Sequence, residues 1–455
     1  MPRPFARTAF AAAVAASLAA PAAAETVFPA KLAGHAYIPA NSMIAPPADA
    51  PRDAWVSGKF AAGPARVDQP MSVPGDTGPW LHGSRPTGLR LPFLGQPLQG
   101  FSGVAMTRAE DGSIYALTDN GFGSKLNSPD ALLFFHRIRP DWETGAIAHE
   151  TTFLRDPNRV VPFRIAYEAT DERYLTGADF DLESIQRVGD EIWIGDEFGP
   201  FLIRATLDGV VTGVFATEVG DTVLRSPDAP GMTGTSRPGA DWRVPRSGGY
   251  EGMALQPGTG LLWAMLEKPI LDAEGKPEGN FLRVFAFDPK AGRFTTQGFK
   301  FPLAEGATAI GDFNFIDETR ALVIERDNGE GDPSLKCAGA PQPDCFPLPA
   351  MHKRVVLIDT ASVDAEGFVR RIGHIDLMDI ADPDGLGRLE TVAARDLTGK
   401  FTFPFFTIEN VMAIDETHIL VGSDNNLPFS SGRQLDAAAH NEFILLHVPE
   451  LLAAR

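Results

Sequence analysis

DLESIQRVGDEIWIGDEFG, residues 181–199, reads as a tight β-hairpin with an acidic mouth. Residues 183–188 form the first strand, Gly189-Asp190 the turn and residues 191–196 the second strand. A two-residue loop that begins with Gly suits a type II′ turn, whose twist matches the flanking strands. In such a hairpin, partner positions sum to a constant. Glu183 is therefore expected opposite Asp196, with Glu197 just beyond. Carboxylates side by side repel, so a cation or a retained proton is expected between them.

The pattern recurs along the chain in degenerate form. The other copies are FSGVAMTRAEDGSIYALTDNGFG (101–123), YEGMALQPGTGLLWAMLEKP (250–269), GDFNFIDETRALVIERDNGEGD (311–332) and IENVMAIDETHILVGSDNN (408–426). Each runs from a polar residue through a short apolar strand, a turn and a more apolar strand to an acidic or amide cluster. Two further strand-like runs follow each copy except the last, which has only residues 442–448. Repeated four-stranded units predict an all-β fold, a β-propeller. Five blades are countable, and six are reached if 156–179 or 218–249 holds a degenerate one. The N-terminal run KLAGHAYI (residues 31–38) is expected to supply the missing outer strand, which closes the ring and removes an exposed sheet edge.

In a propeller the first strand of each blade lines the central channel, so the hairpin mouths converge on one face. The expected neighbours are Glu183 with Asp196, Glu251 with Glu267, Asp312 with Glu325, and Glu409 with Asp424. In the first copy Ser102 lies near Asp119, so that blade has one acid instead of two. Such a crowd of carboxylates is destabilising without cations. Oxygen-only ligands suit Ca²⁺, or Mg²⁺ with retained waters. The expected metal set is Glu183, Asp196, Glu251, Asp312, Glu325, Glu409 and Asp424, with Asn120, Asn425 and Asn426 as further oxygen donors. Lys268 and Arg326 either bind phosphate oxygens or neutralise their acidic neighbours. Glu197 and Glu267 are the candidates for a general base. The plainer readings are solvated acids that cap turns, or a purely structural Ca²⁺. No G-x-S-x-G occurs, which argues against the common serine-esterase elbow. His136 reads as a packed strand residue, Trp193 and Trp263 as core between blades, and the run FPFF (403–406) as packing where the last repeat begins.

The remaining sequence sets bounds. The 455 residues are 44% hydrophobic, with 45 Gly and 38 Pro, a composition of turns and loops rather than long helices. A net charge of −19 and a pI near 4.9 argue against nucleic acid or an anionic membrane as partner. Residues 1–24 carry Arg3 and Arg7, an apolar run at 9–20 and Ala22-Ala23-Ala24, the pattern of a cleaved leader. The mature chain is expected to start near Glu25, to form one domain over 25–455, and to work as a periplasmic or secreted monomer without membrane insertion. Cys337 and Cys345 lie close together in a Pro/Gly loop. In an exported protein they are expected to pair, the alternative being two free thiols.

The phrases QGFSGVAM, TDNGFG, DLESI…GDEFGP, YEGMAL…LEKP, ERDNG and IENV…SDNN together resemble the phytase-like family, also described as "esterase-like activity of phytase". The resemblance covers about residues 30–450. It implies a propeller hydrolase acting on phosphate esters, with a site at Glu183, Asp196, Glu197, Glu251, Glu267, Asp312, Glu325, Glu409 and Asp424. Ser102 departs from the pattern, since an acid there would complete the ring. The function expected is thus metal-dependent hydrolysis of a small-molecule phosphate ester. The alternatives are a non-catalytic ligand- or protein-binding propeller and a propeller lactonase or esterase.

Overall fold

Gly189 takes a φ of 61° and lets the chain reverse between Leu182–Val188 and Glu191–Asp196. A residue without Cβ adopts that conformation at no steric cost. The computed structural model describes residues 25–61, 79–119 and 121–455; the expected leader and Asn120 lie outside them. Phe201–Thr206 and Val211–Ala216 extend the hairpin into a four-stranded antiparallel sheet. This is the second of five such sheets among the described residues.

The first blade consists of Phe101–Val104, Ile114–Thr118, Phe134–Pro140 and Ile147–Phe153. The third runs through Gly252–Leu255, Leu262–Met265, Phe281–Asp288 and Arg293–Pro302. The fourth runs through Ala309–Phe315, Arg320–Arg326, Lys353–Val363 and Val369–Asp376, with Thr26–Val27 added in parallel at its outer edge. The fifth contains Thr407–Ala413, His418–Asp424 and Asn441–His447. Its outer strand is Lys31–Ile38, antiparallel to the last of these, with Lys31 opposite His447 and Ile38 opposite Asn441. Ring closure by the N-terminal strand is therefore as expected. The stretches that left room for a sixth blade are loops, apart from the small hairpin Glu218–Val219/Thr222–Val223.

Alternation of apolar residues on both faces gives each blade two sticky sides, and five apolar clusters fill the gaps between neighbours. Trp193 is fully buried between blades two and three, with ring centroids 5.4 Å from Phe215 and 5.3 Å from Phe287. Trp263 is buried between blades three and four, its ring against Phe299 and Phe315. Truncating such a ring to Ala costs about 3–5 kcal/mol. Phe403 and Phe405 join the cluster between blades four and five. His136 is buried and pushed down to about 3 by burial and by His149, so it stays neutral. Cys337 and Cys345 form a disulfide. Among the described residues, no helix is long and apolar enough to cross a membrane.

A polar stopper ties the five inner strands together. Asn314 Nδ2 donates to Val104 O of blade one at 3.0 Å and Val411 O of blade five at 2.9 Å. Gln186 Nε2 of blade two donates to Asn314 Oδ1 at 2.8 Å and to Met253 O of blade three at 2.7 Å. These bonds cross the channel at this level, and the mouth above them is an open bowl.

Candidate active site at the channel mouth

The inner strands are irregular where the sequence places its acids. Leu182 pairs with Asp196 and Ser184 with Gly195, so Glu183 is an extra residue in a β-bulge. The register slips likewise at Glu409, at Gly311-Asp312 and, in blade one, at Ser102-Gly103. A bulge leaves one residue unpaired and re-aims its side chain. Glu183 and Glu409 turn into the mouth by this device.

The resulting bowl holds about 230 Å³ and is lined by eight carboxylates. Asp181, Glu183, Glu251 and Glu409 come from the approach to the inner strands or from the strands themselves. Asp119, Glu197, Glu267 and Asp424 come from the ends of the second strands. Two cations share the bowl, Lys268 and Arg326. Arg326 is buried and its Nη2 lies 3.0 Å from Glu267 Oε1, 3.4 Å from Glu409 Oε1 and 3.6 Å from Glu251 Oε1. Burial opposes its charge, but Glu267, Glu409 and Glu251 hold its pKa above the ordinary value. Lys268 Nζ sits 3.1 Å from Glu267 Oε2 and donates to Arg246 O at 3.0 Å. Burial would push Lys268 down, yet Glu267 and Glu197 hold it up. Both cations therefore stand on the blade-three and blade-four side of the bowl.

Among the described residues no cation other than these two lines the bowl, and toward the far side Lys268 still acts on Glu197. There Asp181, Glu183 and Glu197 each offer an oxygen within 4.8 Å of the other two. Burial, then like charge, drives all three well above the ordinary carboxyl range. Ser102 Oγ donates to Glu183 Oε2 at 2.6 Å, while Glu197 Oε1 is buried with no hydrogen-bond partner. An orphaned acceptor among three converging carboxylates fits a hard cation that takes oxygen ligands. The residues present thus suit Ca²⁺ or Mg²⁺. The same pressure acts across the bowl. Burial raises Glu251, Glu409 and Asp424, and it raises Asp119 to about 7.

Three acids expected at the mouth are not on its wall, nor is Asn425, whose Oδ1 accepts from Gly100 N at 2.9 Å. Asp196 was expected to face Glu183. The bulge moves its partner to Leu182, and its carboxylate accepts from Asp181 N at 2.9 Å and Gly199 N at 2.7 Å. Asp312 points down into the stopper, where it accepts from Phe313 N at 2.7 Å, Val411 N at 2.9 Å and Asn314 Nδ2 at 3.1 Å. Glu325 lies on the other face of its strand from Arg326, because successive side chains alternate. It binds Arg371 Nη1 at 2.7 Å and His352 Nε2 at 2.8 Å. Asp181 was not singled out from sequence. Its spacing two residues before Glu183 was the available signal, since i and i+2 share a face in extended chain.

No curated protein matches the chain. Solved structures that resemble it include native Bacillus subtilis arabinanase, at 9% identity and a TM-score of 0.35 over 77% of this chain and 94% of that one. Another is the glutaminyl cyclase of Myxococcus xanthus, at 11% identity and a TM-score of 0.34 over 77% and 91%. The family model "Phytase-like: Esterase-like activity of phytase" matches residues 96–427, and the chain belongs to that family.

Proposed function

We propose that the protein is an exported, metal-dependent hydrolase of small phosphate esters that works in the channel mouth. The observation that carries this reading is one bowl in which an acidic triad, Asp181, Glu183 and Glu197, shares the cavity with two cations, Lys268 and Arg326, held by the remaining acids. Asp181, Glu183 and Glu197 would hold calcium, which supplies charge neutralisation and polarises a phosphoryl oxygen or a water. Lys268 and Arg326 face the same cavity with fixed positive charge, suited to phosphoryl oxygens whose charge grows during the reaction. Glu267 is engaged by both cations, so it orients them rather than acting as base. Glu197 belongs to the triad. Proton handling then falls to Glu251, which burial and Glu409 hold well above the ordinary carboxyl range. The disulfide accords with an oxidising compartment.

A second reading, hydrolysis of carboxylic esters or lactones in the same bowl, draws support from the family's description. One substrate panel separates the two. The phosphate reading expects turnover of p-nitrophenyl phosphate or bis-p-nitrophenyl phosphate that is abolished by EGTA and restored by calcium. Turnover of p-nitrophenyl acetate or a lactone without any of phosphates would move the assignment to the second reading. No turnover of either class with calcium present would overturn both.

A further inference from the structure

We propose that Asp196 is the positioning residue of the acidic triad, a role that rests on the metal-binding reading above and adds a residue outside the bowl to it. Two of the three triad acids sit on different segments of blade two. Asp181 precedes the inner strand, and Glu197 follows the second strand. One carboxylate grips both segments: Asp196 Oδ1 accepts from Asp181 N at 2.9 Å, and Oδ2 accepts from Gly199 N at 2.7 Å. Glu197 N in turn donates to Asp181 O at 2.9 Å. The Asp196 side chain is fully buried and does not line the cavity. Its oxygens are occupied by main-chain amides, so it sets the distance between neighbouring acids without touching what they bind.

The triad is more than a cluster of acids, because one of its own oxygens, Glu197 Oε1, is buried and unpartnered. An acceptor left open in that way costs free energy unless something binds it. Holding it at a fixed place next to Asp181 is what a carboxylate outside the bowl can contribute, since supporting partners commonly govern metal affinity tenfold or more.

Asp312 provides an internal control. It too is almost fully buried and accepts from two main-chain amides, but in the stopper of blade four. The test is calcium binding by titration calorimetry on wild type, Asp196→Asn and Asp312→Asn, with thermal unfolding of each in EGTA. Both substitutions should lower the melting temperature without calcium. Only Asp196→Asn should weaken calcium binding, by about tenfold or more. If Asp196→Asn does not fold, Asp196→Ser, which keeps an acceptor for one amide, carries the same expectation. Calcium affinity of the Asp196 variant within twofold of wild type, or equal loss in the Asp312 variant, would overturn the positioning role alone. Absence of calcium binding to wild type would overturn the metal reading together with it.

Discussion

Arg326 is the side chain on which the cationic half of the bowl turns. Three carboxylates approach one nitrogen, and all four groups are buried. Each acid alone would be expelled from such a place or protonated. Arg326→Met keeps the volume and removes the charge. Breaking a buried ion pair from one side costs about 3–5 kcal/mol, because the partner is left uncompensated. The variant should lose stability of that order at pH 8 in EGTA, measured by urea denaturation, and less at pH 5, where the acids can take up protons. Stability at pH 8 within about 1 kcal/mol of wild type, in the range of an exposed pair, would show that the guanidinium does not hold these acids. Arg326 was legible as a cation among acids. Its side of the strand was not legible, since a one-residue slip exchanges the two faces of the strand. The bulge puts Ala309 opposite Arg326 and Ile310 opposite Glu325, whereas regular pairing from Phe313 and Val323 would put each one residue later.

At the scale of the strand, the bulges answer to the neighbouring blade rather than to their own hairpin. A Cβ placed on Gly311 would lie 1.9 Å from Ile408 O and 2.9 Å from its carbonyl carbon. The inner strands of blades four and five therefore approach backbone to backbone where both carry their acids. Turn residues, strand length and apolar alternation are local properties, so five hairpins and their order were readable from the chain. Backbone contact between segments about a hundred residues apart is not local, and the places of Asp196, Asp312 and Glu325 depended on it. Overpacking a well-filled interior costs about 1–3 kcal/mol and more where backbone must move. Gly311→Ala should reach the upper end of that range or prevent folding. Gly234→Ala, where an added Cβ meets nothing within 4 Å, should stay within about 0.5 kcal/mol of wild type. Equal stability of the two variants in urea denaturation would mean that the blades have room to part at the bulges.

Over the whole molecule, two populations of buried carboxyls set opposite dependences on pH. Glu325, Glu330 and Glu442 are held down to about 2; burial opposes this, but partners that include Arg371, Arg85 and Arg433 prevail. Their stabilisation is complete above the unfolded value near 4.5 and is lost as pH falls toward 2. Asp196 is raised to about 6 and Asp119 and Asp312 to about 7, in each case by burial first, and burial also lifts the triad well above the ordinary carboxyl range. For these, the folded chain binds protons that the unfolded chain has already released, so stability falls as pH rises from about 4 through 7. A net charge of −19 adds repulsion on the same side. In EGTA the melting temperature should therefore peak near pH 5 and drop by several degrees toward pH 8. Calcium binds the ionised acids and not their protonated forms, so it should restore part of that drop and do little at pH 5. A ligand at a hundred times its dissociation constant stabilises by about 2.7 kcal/mol, which is enough to offset the loss of about two protons' worth of linkage over one pH unit. A melting temperature in EGTA that rises steadily from pH 5 to pH 8 would mean that the bowl carries its charge unaided, and the case for a resident cation would fall with it.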